Sequence, residues 1–261
     1  MNVSTKKSVS KVRFEGFRPA MFQFLSALTQ NNNKPWFDEH RREYEAEVLG
    51  PAKAFVAELG PIVHMLNEDL ETEARVGRTI SRINNDIRFH KNRPPYRPFI
   101  YISFPKRGCK WSNSAVLYIG IHPRGVSIGF FPGGHRELHT GPIQQRIKSN
   151  SRLFQRYLDE RGIAQSYWEL AGDDDGKVTK WSLPTSARRW IKLDNFSVGE
   201  LFLPTDRRVS RRSFLDVAQQ IFLDLYPLWL FATSDELASE FELYRENASL
   251  LARPLTKAAA K

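Results

Sequence analysis

The sequence predicts an α+β fold, a single domain in which an antiparallel sheet is covered by helices. Three observations carry this reading. Apolar residues recur at helical spacing up to about residue 66, residues 78–131 are rich in the Ile, Val, Phe and Tyr that suit strands, and the helical pattern returns after Gly133 and Gly134. A helix block, a strand block and a second helix block, with no βαβ alternation and no internal repeat, describe helices layered on an antiparallel sheet. At 261 residues, with 41% hydrophobic residues and 18 Phe, the chain has ample volume for one large core, and disorder throughout is excluded.

Along the chain, residues 1–13 read as a flexible basic tail, 14–254 as the domain and 255–261 as a C-terminal tail. Pro19 suits a first helical position, and Met21, Phe22, Leu25 and Leu28 continue that helix to a turn at Asn31–Asn33. A second helix starts at Pro35, with Asp38 and Glu39 in its first turn, and Gly50–Pro51 is expected to break it. A third runs over residues 52–66, where Gly60–Pro61 is a candidate kink. Strands are expected over 78–89, 99–104 and 115–131. The last stretch folds back at His122-Pro123-Arg124-Gly125, and Gly120 and Gly129 mark bulges or a close approach by another backbone. Helices follow over 135–148 and 150–161, then a polar loop at 172–176 and a short strand at 189–193. An amphipathic helix over 210–225 and a last helix, opened by a Thr233–Glu236 capping box and ending near Arg253–Pro254, complete the set.

The charge balance is strongly basic, with 39 Lys and Arg against 29 acids and a formal net charge of +10. Such a balance suits an anionic partner, whether nucleic acid, anionic lipid headgroups or a phosphorylated small molecule, and it equally suits a solvated basic surface. Cys109 is the only cysteine, which excludes a disulfide framework or zinc knuckle and fits a reducing compartment. The N-terminal residues lack the apolar stretch of a secretory signal. The longest apolar run, residues 221–232, is too short for a membrane span and contains Asp224 and Pro227. A cytoplasmic location and no membrane partner are therefore expected.

The densest chemistry lies at residues 82–96. In an extended chain, Arg82, Asn84, Asp86, Arg88 and His90 share one face, while Ile83, Ile87 and Phe89 share the other, with Asn85 the polar exception. Asp86 then holds one guanidinium while the other offers its planar fork to a phosphate or carboxylate. Lys91, Arg93 and Arg97 add positive potential from a Pro-stiffened loop, and Tyr96 supplies a hydroxyl or a stacking ring. The structural alternative is an internal Arg–Asp network that anchors the loop to the sheet. Asn32 and Trp36 are candidates to line the same pocket, or else to cap a helix and fill the core.

These stretches also carry a resemblance. Asn31-Asn32-Asn33-Lys34-Pro35-Trp36-Phe37, Arg42 with Tyr44, and the run from Arg82 to Tyr96 are similar to the domain-of-unknown-function family 2461. Its pattern runs roughly NN..WF, then R.NRD.RF.K...PY, then a YLHI-like strand before a Gly-rich turn, here Leu117-Tyr118-Ile119-Gly120-Ile121. The similarity reaches from about Phe14 to the final helix, and the middle motif is its most specific part. Asn85 stands where the family usually has Arg, and Gly120 where it often has His, so any chemistry shared through those two residues would be impaired here. The resemblance implies no particular activity, cofactor or catalytic residue.

Other motifs carry less. His135 and His139 share a helical i,i+4 spacing without the metalloprotease glutamate or a third ligand, and Asp173-Asp174-Asp175 lacks calcium-loop spacing. No nucleophile elbow, P-loop or dinucleotide fingerprint is present, and no cofactor or metal is expected. The leading expectation is a phosphorylated or otherwise anionic ligand held around Arg82, Asp86, Arg88 and Lys91. If there is catalysis, Asp86 or His90 is the general base and Arg88 stabilises developing charge. The alternative is a non-catalytic nucleic-acid-binding protein that uses the tail and three basic-aromatic pairings, at Lys106–Trp111, Lys180-Trp181 and Arg188-Arg189-Trp190. A scaffold without a small ligand is the third reading.

Overall fold

The N-terminal helices form where apolar spacing placed them, and their aromatic side chains build one end of the core. The computed structural model describes residues 13–86, 93–109, 114–133, 141–173, 176–193 and 196–255. Helix α1 (Pro19–Gln30) buries Met21, Phe22, Phe24, Leu25 and Leu28. Asn33 then caps α2 (Lys34–Glu39), its Oδ1 accepting the Trp36 N–H at 3.0 Å. Helix α3 (Arg41–Glu43) passes through a turn of π-helix (Tyr44–Leu49) into α4 (Gly50–Leu66) without the break expected at Gly50–Pro51. Pro51 falls in the first turn of α4, where its missing N–H costs no hydrogen bond. Gly60–Pro61 does not divide α4 either, because Leu59, Gly60, Ile62 and Val63 are all buried there and tertiary packing holds the turn.

A six-stranded sheet follows. Its strands are β1 (Ile100–Phe104), β2 (Val116–His122), β3 (Gly125–Phe131), β4 (Trp168–Gly172), β5 (Val178–Ser182) and β6 (Val198–Phe202). They lie in the order β1-β2-β3-β6-β4-β5, with every described pairing antiparallel. The β2–β3 hairpin closes with His122 opposite Gly125 across the two-residue turn Pro123-Arg124. Gly129 and Gly199 face each other across β3 and β6. A Cβ added to either would fall on a backbone carbonyl oxygen of the neighbouring strand, so this close approach requires two glycines.

Three expectations are corrected. Residues 79–86 form no regular strand but run along the outer edge of β1 as an irregular ribbon. Ile80 bridges Ile102, Ser103 N–H donates to the Thr79 carbonyl and Ser81 N–H to the Tyr101 carbonyl, each at 2.8 Å. The expected strand at 189–193 is instead helix α8 (Ala187–Trp190) and a turn, because Trp190 is drawn fully inside, donating to the Pro184 carbonyl at 2.7 Å. The Thr233–Glu236 capping box does not form. Thr233 donates back to the Trp229 carbonyl at 2.8 Å, and Glu236 caps the last helix without a side-chain bond.

The remaining helices are α5 (Gly141–Ser149), α6 (Ser151–Arg161), α7 (Ile163–Ser166), α9 (Phe214–Thr233) and α10 (Leu237–Leu251). Helix α9 packs on one face of the sheet, where Ile102, Ile119 and Ile128 stand in register across β1, β2 and β3. Phe222 meets Phe104 edge-on at 5.6 Å, and the Trp229 indole donates to the Ala115 carbonyl at 3.1 Å. Each such side chain contributes about 1.5–3 kcal/mol on burial. Among the described residues, no helix is long and apolar enough to cross a membrane.

Candidate functional site

The edge ribbon fixes the first group of candidate residues. Asn32 reaches across to Tyr96 and pairs with both of its backbone groups, donating to the carbonyl at 2.8 Å and accepting the N–H at 3.0 Å. The Tyr96 ring is buried and stacked on Phe37, with centroids 4.1 Å apart at 17°. Tyr96 therefore anchors the loop and presents no open ring face. Trp36 is half-buried, stacked on His40 at 4.1 Å and 14°. Asn84 bridges Tyr96, and Asn85 uses its N–H on the Pro95 carbonyl and its amide on the Pro94 carbonyl. Asn85, one of the two departures from the family pattern, thus closes the hairpin-like ribbon.

Alternation holds along the described part of the ribbon. Arg82, Asn84 and Asp86 are exposed while Ile83 between them is buried. Arg88, His90 and Lys91, three of the expected binding or catalytic groups, lie outside the described residues. The structure instead brings Arg97 to Arg82, for Arg97 Nη2 donates to the Arg82 carbonyl and Arg97 N–H to that of Ile83. The Arg82 guanidinium lies over Gly77, open to solvent. Arg97 is half-buried, its Nε sealed from solvent with no acceptor among the described residues. Burial lowers its pKa, against a small opposing influence of Tyr101. An unanswered guanidinium donor of this kind is costly unless something anionic fills it.

From Arg97 a second alternation runs into β1. Pro98, Ile100 and Ile102 face the core, while Arg97, Phe99 and Tyr101 are half-buried on the opposite face of the sheet. That face carries a polar row the sequence reading did not identify. The Tyr101 and His122 rings are edge-on at 5.5 Å, and Phe99 lies 5.7 Å from each. His122 Nε2 is 3.3 Å from Ser127 Oγ, Tyr118 Oη is 2.8 Å from Ser197 Oγ, and Ser197 Oγ donates to the Phe130 carbonyl at 3.3 Å. Burial pushes Tyr118 up to about 12, raises Tyr101, and pushes His122 down to about 4 against a weaker opposing pull from Asp173. The imidazole is thus neutral at pH 7, and its Nδ1 is buried without a partner among the described residues.

The row exists because Gly120 has no side chain. A Cβ there would lie 2.5 Å from His122 Nε2, 2.6 Å from Ser127 Oγ and 2.8 Å from a Tyr101 ring carbon. At the position where the family pattern often has His, this chain leaves a gap that His122, two residues on and on the same face, fills with its ring. One sequence signal marks the row: Tyr118, Gly120 and His122 alternate with Leu117, Ile119 and Ile121, so one face of an otherwise apolar strand is polar.

The other candidates disperse. Of the basic-aromatic pairings, Trp190 is core, Trp181 is exposed on β5 and Trp111 lies outside the described residues, as do His135 and His139. Lys180 sits over the Trp168 ring at 4.3 Å. A cavity of about 250 Å³ between α6 and α10 contains Arg161 and Arg245, and one of about 340 Å³ beside α5 contains Arg146. These arginines already face carboxylates, Asp224 at 3.3 Å, Glu242 at 3.2 Å and Asp235 at 2.8 Å respectively.

A family model described as "Conserved hypothetical protein (DUF2461)" matches residues 20–231, from α1 nearly to the end of α9. No curated protein and no solved structure matches the chain.

Proposed function

This chain belongs to the domain-of-unknown-function family 2461, and we propose that it binds a phosphorylated or otherwise anionic small molecule on the rim formed by Arg97 and Arg82. The observation that carries this reading is the buried, unanswered Nε of Arg97. A guanidinium whose described side-chain bond is to one carbonyl keeps a planar set of donors for a phosphate or carboxylate. Arg82 stands beside it, exposed, and the Arg97 guanidinium donates to the Arg82 carbonyl, so two cationic side chains meet on the outer edge of β1. Asn32 and Phe37 support the rim by holding Tyr96 of the 93–97 loop against α2.

Titration calorimetry with inorganic phosphate, sulfate and short single-stranded oligonucleotides, on the wild type and Arg97→Met, tests the reading. Saturable binding of a small anion that is lost in a folded Arg97→Met supports it. Binding of oligonucleotides alone, weakening steeply with salt and indifferent to Arg97, transfers the assignment to a nucleic-acid surface. No anion binding at all sinks the proposal.

A further inference from the structure

Strand register gathers arginines at one end of the sheet. Phe202 at the end of β6 pairs with Val126, and His122 faces Gly125 across the turn that joins β2 to β3, so that turn and the loop after β6 are neighbours. The loop, residues 203–213, carries Arg207, Arg208, Arg211 and Arg212 against a single acid, Asp206. Arg124 stands beside it in the β2–β3 turn, for a Cβ on Gly125 would lie 2.3 Å from the Phe202 carbonyl oxygen. Arg18 joins from the other side. A Cβ on Gly16, two residues earlier, would lie 2.3 Å from the Ser210 carbonyl carbon and 2.7 Å from the Arg211 nitrogen, so the two backbones touch.

The loop is stiff as well as basic. Val209 is fully buried, and its carbonyl accepts the Phe17 N–H at 2.9 Å. Asp206 N–H donates to the Leu203 carbonyl at 2.9 Å, and Val209 N–H to the Asp206 carbonyl at 3.0 Å. Arg208 is engaged within the loop, its Nε 3.1 Å from both Asp206 carboxylate oxygens and its guanidinium 4.9 Å from the Phe202 ring centre. Arg212 is engaged too, on the Phe14 carbonyl at 2.9 Å and on Glu58. Arg18, Arg124, Arg207 and Arg211 remain. All four are exposed, and among the described residues no carboxylate or carbonyl engages their guanidiniums.

Guanidiniums held on a rigid frame match phosphates, because each planar fork takes two phosphate oxygens and a pre-ordered loop loses little freedom on binding. The rings packed beneath the loop, Phe14, Phe17, Phe202 and Phe214, are buried and offer no face on which a base could stack. Leu203 is the one exposed large apolar side chain of the loop, too little to insert in a bilayer. What fits is a regular array of backbone phosphates with its bases turned inward. We propose that this end of the sheet docks the phosphate backbone of double-stranded nucleic acid without reading its sequence, through Arg18, Arg124, Arg207 and Arg211. The surface shares no residue with the Arg97 rim and is tested apart from it.

The test is fluorescence anisotropy with two labelled DNA duplexes of unrelated sequence, a matching single strand, and co-sedimentation with phosphatidylserine vesicles, at salt from about 50 to about 200 mM. Four phosphate contacts predict a slope of log affinity on log salt of about −3.6, a fall of roughly a hundredfold across that range. Replacing the four arginines by Gln should lower duplex affinity more than about tenfold at the lower salt. Replacing Lys148, Arg152, Arg188 and Arg189 by Gln, exposed on α5, α6 and α8, removes the same charge and should leave affinity within about twofold. If the fourfold variant does not fold, Arg207→Gln and Arg211→Gln singly should each reduce the slope by about one. Equal loss in the two fourfold variants would assign the binding to net charge and overturn the proposal. Preference for the single strand, a difference between the two sequences, binding to vesicles alone, or no duplex binding at the lower salt would overturn it as well.

Discussion

The side-chain amide of Asn32 pairs with both backbone groups of Tyr96, doing in one residue what a neighbouring strand would do. It ties the start of α2 to the ribbon loop and so sets the rim on which Arg97 stands. Replacing Asn32 by Ala leaves a partly buried N–H and carbonyl without partners, at a cost of about 2 kcal/mol. Urea unfolding should show that loss, and phosphate affinity should fall with it. A neutral Asn32→Ala would mean the loop is held by the Tyr96–Phe37 stack alone.

Arg97→Met should behave in the opposite way. It removes a buried donor that meets no acceptor among the described residues and keeps most of the side-chain volume, and the Nη2 bond to the Arg82 carbonyl lost with it is exposed, where water takes its place, so the ligand-free protein should be unchanged or more stable by up to about 1 kcal/mol. Anion binding should disappear in the same variant, which is the expected trade of stability against function. Destabilisation beyond about 2 kcal/mol would make Arg97 a structural residue.

How much of this was legible can be traced through single residues. The α+β order, the β2–β3 hairpin and the alternation of Arg82, Ile83, Asn84 and Asp86 follow from local periodicity, and they appear in the structure. Strands β4, β5 and β6 were not legible. WELAG, VTKWS and VGELF contain glycines and charges that local propensity assigns to loops, and only their pairing with β3 and each other makes them strands. The same limit hid the polar row. Tyr101, His122, Ser127 and Ser197 come from separate segments, and what joins them is the space over Gly120, which no spacing rule encodes. Arg97 was read as one of several loop cations. Its distinction, a buried Nε, is a property of tertiary packing.

His122 gives stability a pH dependence with a definite sign. Burial holds its pKa at about 4 against an ordinary 6.5, so between those values the unfolded chain binds a proton that the folded chain does not. Its contribution is complete above pH 6.5 and is lost as pH falls toward 4, amounting to about 3 kcal/mol there. The titratable groups facing the ring are Tyr101, edge-on to it, and Asp173 near the β4–β5 turn, and of these Asp173 pulls the value back up. Carboxylates also titrate in this range, so the measurement is a difference. The stability of wild type minus that of His122→Phe, from urea unfolding at pH 7, 6, 5 and 4, should decline steadily across the series. A flat difference would mean that the ring is open to solvent.

The glycines of the sheet separate a structural role from a site role. A Cβ on Gly129 would land on the Val198 carbonyl oxygen, and backbone there can retreat only by opening the β3–β6 pairing. Gly129→Ala should therefore cost more than about 3 kcal/mol or prevent folding. A Cβ on Gly120 would meet only the far ends of His122, Ser127 and Tyr101, which rotate at a cost of about 1–2 kcal/mol. Gly120→Ala should fold, with the His122–Ser127 hydrogen bond broken and the imidazole displaced toward solvent. Its pKa should then climb from about 4 toward the ordinary 6.5, read by proton NMR titration. Equal destabilisation by the two substitutions would show that Gly120 serves the sheet rather than the polar row above it.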